Sequence, residues 1–474
     1  MTPGELMLGA VEEESLGRWL LERRWFGSKA RDVANVHVLD IVELAEPAGD
    51  EPGLVLALAE ARFPAGTHDV YQLVLATRPA DQGWERGVVA DAGGVTFYDA
   101  FEDPQAALRL AALLGEEARR ENPHAVVIFR WAADSEPPPA DADVRPVGAE
   151  QSNTSVVYGD AFILKAFRRL EAGDNPELEM LRFLSERRFP NIARLTGWYE
   201  YRGEPMDATL GVVQRFIPCA RDGWEIALED VAASPDTFPE RMYHLGHVIG
   251  RMHTVLGSDA TDPAFAPEEP GDEALSLLTA TIDEEIERVF VDLPQDDPAL
   301  APIAGRGEEI RDRLRLLSHV GTGGRLIRHH GDLHLGQTLL APGQGVRSES
   351  WIVLDFEGEP ARALIDRRRK RSPLRDVAGM LRSFAYVASA SELQNGIPAP
   401  AGWEQQTRER FLNGYFEAIE TSLLPPGRKA AETLLSIFEL EKAVYELRYE
   451  LNNRPDWVGI PVVGILRLLE EPVA

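Results

Sequence analysis

The chain has a single cysteine, Cys219. No internal disulfide can form, so nothing in it needs an oxidising compartment and a cytoplasmic setting is expected. Basic charge is scarce: 49 Lys and Arg stand against 78 Asp and Glu, a formal net charge of -29. Such a chain repels polyanions, which argues against nucleic acid or an anionic membrane surface as a partner. Long apolar runs are missing too. No stretch reaches the length of a membrane span, and Met1 to Met7 lack a basic segment followed by an apolar one, so no signal peptide is expected. What is there is 474 residues, 44% of them hydrophobic. That suffices for a sizeable core, split into roughly three domains at about 150 residues each. The charge balance suits a neutral or cationic small molecule, or an anion held with metal ions.

The pattern divides into a sheet-rich half and a helix-rich half. In residues 1–100, a helical spacing of Leu16, Trp19, Leu20 and Leu21 leads into 24-RWFGSKAR-31, and the apolar runs 53-GLVLALAEARF-63 and 70-VYQLVLATR-78 read as strands. This makes a small α/β unit. Residues 101–218 form a second unit, with a helix in 105-QAALRLAALLGEEARR-120 and a Pro- and acid-rich linker at 133-ADSEPPPADADVRP-146. Strands Asn153 to Tyr158 and Ala161 to Phe167 turn at Gly159-Asp160. A helix then opens at Pro176, and a strand, 209-TLGVVQRFI-217, stops at Pro218. Residues 219–474 form the last unit, mostly helical from about residue 236 onward apart from 328-RHHGDLHLGQTLL-340 and 351-WIVLDFEG-358.

The densest chemistry lies in 328-RHHGDLHLGQTLL-340. Phosphoryl transfer needs a carboxylate to take a hydroxyl proton, an amide five residues on to hold metal, and a second carboxylate after a short strand to hold Mg²⁺ on the phosphates. Asp332, Gln337 and Asp355 have that spacing, the last directly after Trp351 to Leu354. His330 and His334 are expected to support the loop, and Leu333, Leu335, Leu339 and Leu340 to anchor it. A metal-hydrolase site on His330 and His334 is the competing reading. Gly331 and Gly336 disfavour the helix that would set both imidazoles on one face.

The upstream half decides between the two. Lys165 sits in the apolar strand 161-AFILKAF-167, where a lysine is costly unless it is paired or faces a cleft. Glu177 and Glu179 open the next helix, and Glu179 is taken as its partner. The turn 150-EQSNTS-155 lies where a nucleotide-covering loop belongs, so Ser152, Asn153, Thr154 and Ser155 are candidate phosphate contacts. Gln214 and Phe216, just before Pro218, complete the candidate nucleotide-side set. The order is loop, strand lysine, helix glutamate, hinge, H-G-D with Gln, then strand and D-F-E. It matches the phosphotransfer template throughout.

On these motifs the chain resembles the actinobacterial maltokinases, within the aminoglycoside-phosphotransferase-like and protein-kinase-like enzymes. The resemblance is carried by 150-EQSNTSVVYGD-160, 163-ILKAFRR-169, 330-HGDLHLGQ-337, 354-LDFEGEPAR-362, 372-SPLRDVAGMLRSF-384 and 440-LEKAVYELRYELNNRPDW-457, with 24-RWFGSKAR-31 resembling the start of an N-terminal cap. It implies an α+β, bilobal protein-kinase-like fold, with an α/β cap on a sheet-rich N-lobe and a helical C-lobe. It also implies ATP and Mg²⁺ as cofactors, Asp332 as base, Gln337 and Asp355 as metal ligands, and Lys165 on the phosphates. The expected reaction makes maltose 1-phosphate, feeding α-glucan synthesis from trehalose, and association with a trehalose synthase is a further expectation. Glucosamine is the alternative sugar, and a kinase-like binding pseudoenzyme the alternative class.

Two surface features remain. Lys442, Tyr445, Glu446, Tyr449 and Glu450 recur at helical spacing, followed by Arg454 and Trp457. Read as one sugar-binding face, this polar stripe spans about 12 Å, a length that favours a disaccharide. The bland reading is an amphipathic helix with i,i+4 ion pairs. The run 367-RRRKR-371 is read as a solvated turn beside the nucleotide cleft, with Arg375 and Asp376 bracing the active-site segment or touching substrate.

Overall fold

The computed structural model describes residues 13–29, 31–132, 135–148, 152–271, 274–291, 293–294, 297–317, 323–343, 349–360 and 362–470. Glu150, Gln151, Ala30 and residues 133–134, all within motifs quoted above, lie outside them. The chain forms two compact units, Met1–Ser185 with Ala193–Pro218 and Glu186–Ile192 with Cys219–Ala474. No helix among the described residues is long and apolar enough to cross a membrane.

The first unit holds two antiparallel sheets. Strands β1 (Asn35–Ala45), β2 (Gly53–Arg62), β3 (His68–Pro79), β4 (Val88–Ala92) and β5 (Val95–Asp99) lie in the order β1-β2-β3-β5-β4. Helix α1 (Glu13–Glu22) places Leu16, Trp19 and Leu20 in one core cluster with Tyr71, Leu73 and Phe97. Both faces of β2 and β3 are covered, so their burial is almost continuous and polar alternation is missing from their sequences. The short β11 (Arg169–Leu170) adds to β3.

The second sheet comprises β6 (Arg119–Glu121), β7 (Ala125–Trp131), β8 (Val144–Val147), β9 (Thr154–Tyr158), β10 (Phe162–Ala166), β12 (Leu195–Gly203) and β13 (Asp207–Arg215), in the order β6-β7-β12-β13-β10-β9-β8. The end of the expected linker is therefore strand: Val144 to Pro146 pair with β9. The helix read over 105–120 stops sooner, as α2 (Pro104–Gly115), because Arg119–Glu121 enters the sheet. Arg168 joins the two sheets. Its guanidinium is buried, donates to Asp99 Oδ2 at 2.6 Å and lies over the Trp25 and Phe101 rings. Helix α3 (Pro176–Glu186) follows.

The second unit is mostly helical, around a three-stranded sheet of β14 (Arg221–Asp222), β15 (Thr338–Pro342) and β16 (Glu349–Val353). Its helices are α4 (Gly223–Ala233), α5 (Phe238–Leu256), α6 (Ala274–Val291), α7 (Gly307–Leu317), α8 (Leu364–Arg367), α9 (Leu374–Asn395), α10 (Trp403–Ala418), α11 (Arg428–Asn453) and α12 (Gly459–Glu470). Helices α5 and α10 meet through glycines. A Cβ on Gly414 would lie 2.0 Å from the Tyr243 carbonyl oxygen, and one on Gly246 2.1 Å from that of Phe411. This approach carries His253, further along α5, to Tyr415 on α10. Gly414→Ala should therefore lower stability by about 1–3 kcal/mol through overpacking, read as a lower urea midpoint. Gly459→Ala, whose Cβ meets nothing within 4 Å, is the neutral control. Equal midpoints for the two variants would contradict the glycine contact.

Candidate active site

The loop segment 328–337 lies between α7 and β15 and is held by a buried carboxylate. Asp376, in the first turn of α9, accepts from the His330 N–H at 2.8 Å and the Gly331 N–H at 2.9 Å, and lies 2.9 Å from His253 Nε2. His253 Nδ1 in turn reaches the Tyr415 hydroxyl at 3.0 Å. Burial alone would raise the Asp376 carboxyl; the imidazoles of His329 and His253 hold it well below the carboxylate range. Gly331 has φ +89, the left-handed conformation that a turn into Asp332 requires. His330 supports the loop as expected. Its Nε2 lies 2.7 Å from the Leu354 carbonyl, its Nδ1 accepts the Asp332 N–H at 3.3 Å, and its ring packs on Phe356. Leu333 and Leu335 are buried anchors. Gly379 lets α9 touch the loop, since a Cβ there would sit 2.6 Å from the Leu333 oxygen.

Gln337 and Asp355 come together: Gln337 Nε2 donates to Asp355 Oδ2 at 3.0 Å. Asp355 has φ +58, a strained conformation for a residue with a Cβ. Glu357 of the D-F-E, unassigned from the sequence, brings its carboxylate within 4.8 Å of that of Asp355. An amide and two carboxylates are hard oxygen donors, a set that fits Mg²⁺. His334 is half-buried, and its desolvation lowers its pKa.

Asp332 opens onto a cavity of about 690 Å³ within the second unit. Lys442 and Tyr445 line it, with Lys442 Nζ 3.8 Å from Asp332 Oδ1. Burial pushes the Tyr445 phenol up to about 12, so it stays a hydroxyl. The rest of the expected sugar stripe does not line this cavity. Glu446 is buried and paired with Arg382 at 2.8 Å, and Gly464 leaves the room for that guanidinium. Glu450, also buried, takes two bonds from Arg454, at 2.9 and 2.6 Å, and one from the Tyr386 hydroxyl at 3.0 Å. Trp457 stacks on Tyr386 from a short 3-10 turn, and Tyr449 is exposed. The physical reason is rotation. The cavity takes Phe438, Glu441, Lys442, Tyr445 and Arg448, a stripe about one residue, or roughly 100°, away from the one read in the sequence.

The basic run is also more than a solvated turn: Arg367, Arg369 and Arg371 line the cavity with Arg362 and Arg375. Lys370 donates to Glu268 at 2.6 Å and to the Pro263 carbonyl at 2.7 Å.

In the first unit, Lys165 lies on the half-exposed face of β10 with Ile163, as alternation implies. Its carboxylate partner is Glu177, at 2.8 Å, in the place expected for Glu179. Two residues along a helix is roughly 200° of rotation, so Glu177 turns into the core while Glu179 is half-exposed. Asn175 Oδ1 accepts the Glu177 N–H at 2.8 Å and sets that first turn. Gln214 joins the pair by donating to Glu177 Oε1 at 3.1 Å. Phe216 lies under the Arg145 guanidinium. Ser152 and Asn153 precede β9, but Thr154 and Ser155 are inside it. The Thr154 hydroxyl accepts from Arg168 at 2.7 Å and Ser155 is buried, so neither presents an open phosphate contact.

The family profile of the maltokinase N-terminal cap domain matches residues 19–103. A glucosamine kinase of Streptacidiphilus jiangxiensis is 26% identical over 449 residues, covering 90% of this chain and 97% of that one. A glucosamine kinase of Mycolicibacterium smegmatis is 27% identical over 347 residues, covering 69% and 80%. A solved glucosamine kinase in complex with glucosamine, ADP and inorganic phosphate is similar with a TM-score of 0.70 at 20% identity, covering 99% of this chain and 100% of that one. Together these matches fit a maltokinase-family, kinase-like fold. It is an ATP-dependent phosphotransferase, with Mg²⁺ the usual partner ion of that chemistry. At the coarser level of acceptor class, the matches support a sugar kinase.

Burial pushes His329 down to about 3, with its Nδ1 left unpartnered. An unfolded histidine titrates near about 6.5, so unfolding takes up a proton below that pH. Stability should fall as pH drops from about 6.5 toward 3, and His329→Leu should flatten that slope. The depressed Asp376 contributes stability that is present above about pH 4 and lost below it, so the two windows separate. Urea titrations across pH 4 to 7 check this; an unchanged slope in His329→Leu would refute the assignment.

Proposed function

We propose that this chain phosphorylates maltose at its anomeric hydroxyl, giving maltose 1-phosphate and ADP. Asp332 takes the hydroxyl proton. Gln337, Asp355 and Glu357 hold Mg²⁺, and Lys165, oriented by Glu177, holds the ATP phosphates. The protein's own contribution is positioning and charge neutralisation, which dominate phosphoryl transfer.

The observation that carries the choice of sugar is the state of the cavity's carboxylates. Glu441 is held by both guanidinium nitrogens of Arg375, at 3.1 and 3.0 Å. Glu359 pairs with Arg362 at 2.5 Å and Asp366 with Arg369 at 3.2 Å. Glu285 pairs with Arg288 at 2.8 Å and with Arg448. Asp376 is taken by the loop, and Lys442 stands beside Asp332. A sugar ammonium would meet cations here and no spare carboxylate. A neutral polyol would meet many donors, in a volume typical of small-molecule sites. Glucosamine, the sugar named for the relatives, is the second reading. Association with a trehalose synthase, and a place in α-glucan synthesis, belong to the maltose reading and would be tested by co-purification.

ADP release measured with maltose, glucose, glucosamine and trehalose in turn should be fastest with maltose; preference for glucosamine would overturn the sugar. Asp332→Asn should lower kcat by about 10²–10⁴-fold while ATP affinity holds, and a variant retaining a tenth or more of wild-type turnover would remove Asp332 from the role of base.

The helix makes a separate prediction. Lys442→Ala and Tyr445→Phe should raise KM for maltose without changing KM for ATP. Glu446→Gln leaves Arg382 buried without its ion partner and should cost about 3–5 kcal/mol in urea unfolding. Native stability in Glu446→Gln together with a raised maltose KM would return Glu446 to the sugar site.

A further inference from the structure

The wall behind the acceptor cavity is shared with a second cavity of about 800 Å³. Leu278, Arg369, Arg371, Arg375 and Phe438 line both. Ser422 and Leu434 line the second alone. In a strongly acidic chain, this cavity is basic. Among its described lining residues Glu269 is the sole carboxylate, largely exposed and 3.7 Å from Arg325. Lys370, Arg369 and Arg375 each have an acidic partner, in Glu268, Asp366 and Glu441.

Arg371 has none: its side chain makes no hydrogen bond or ion pair among the described residues. It is half-buried, and its backbone is fixed by two 2.9 Å bonds with Ile327. Burial, with Arg375 and Arg362 nearby, pushes its pKa down to about 10, which still leaves it cationic at neutral pH. A half-buried guanidinium holds five N–H donors in a rigid fork, and here no described protein group takes them. The chemistry that matches the fork is an oxyanion.

We propose that the second cavity binds a small oxyanion, a phosphate- or carboxylate-bearing molecule, with Arg371 as its principal contact and as a site separate from the acceptor cavity. The backbone of Arg371 explains how occupancy would be felt. Ile327 lies three residues before His330, and Ser372 leads into the helix that carries Asp376. An anion on Arg371 bears on both the loop and its brace, so it would act as an effector of the acceptor step.

The test is calorimetric titration of the full chain with inorganic phosphate and, separately, with acetate, ADP and Mg²⁺ being present to fill the nucleotide site. Saturable binding is expected, weakened about tenfold or more in Arg371→Gln, the loss of at least one charge-assisted bond. Ser422→Trp, a change at an exposed position, should plug the second cavity and abolish anion binding while leaving the KM for sugar unchanged. Phosphate binding without acetate binding, or the reverse, identifies the ligand class. The proposal fails if neither anion binds saturably, or if binding survives Arg371→Gln. It also fails if binding survives Ser422→Trp or competes with the sugar, since either would move the anion into the acceptor cavity.

Discussion

The second unit's chemistry depends on one buried carboxylate. Asp376 satisfies two successive backbone N–H groups of the catalytic loop and meets His253 with the same oxygen that takes His330. Without it, those N–H groups would be buried and unmade, each at a cost of about 1–3 kcal/mol. The arrangement also ties three helices together. Asp376 comes from α9, His253 from α5 and Tyr415 from α10, and the glycine contact between α5 and α10 sets the distance. A base for phosphoryl transfer must be held in place before substrate arrives. Here the loop backbone on both sides of Gly331 is clamped, so in the role proposed for Asp332 only its own side-chain rotamer is left to set.

Charge is arranged on two scales. Over the whole chain, acid outweighs base by 29 charges, which keeps polyanions away. Around the acceptor cavity basic groups gather, and the wall carboxylates Glu285, Glu359, Asp366 and Glu441 are each matched by a guanidinium. Paired groups hold the wall rigid and present mostly hydrogen-bond donors inward. Such a wall suits the hydroxyl oxygens of a neutral sugar better than an ammonium group, which is the basis of the proposal for maltose.

Local signals in the sequence were read correctly where a residue's neighbours in the chain decide its environment. The alternation of Phe162, Leu164 and Ala166 against Ile163 and Lys165 is what the strand displays. Leu333 and Leu335 anchor the loop, and His330 shapes it. Legibility stopped where a partner arrives from far along the chain. Glu446 looks like a sugar ligand until Arg382, 64 residues away, meets it. Choosing between Glu177 and Glu179 depends on which way α3 turns against Gln214, and nothing in 176–186 says so. The run 367-RRRKR-371 has the composition of a solvated turn, and only the return of the chain past Glu268 and Ile327 makes it a wall. His253 was missed altogether. A lone histidine in an amphipathic helix carries no signal until Asp376 and Tyr415 are seen on either side.

The C-terminal helix shows why a polar stripe at helical spacing is ambiguous in principle. On α11 the residues Glu441, Lys442, Tyr445 and Arg448 face the cavity, while Glu439, Glu446 and Glu450 are buried on the other side. Both faces are polar, so periodicity cannot separate them. Burial of the three glutamates is tolerable because each meets an arginine: Arg408 at 2.9 Å, Arg382 at 2.8 Å and Arg454 at 2.6 Å. These pairs need not add net stability, since a desolvated ion pair roughly breaks even against apolar packing. Two of them also fix rotation, because turning α11 by one residue would part Glu439 and Glu446 from Arg408 and Arg382 and aim Lys442 away from Asp332. The ion pairs on the hidden face thereby set the register of the side chains on the face that lines the cavity.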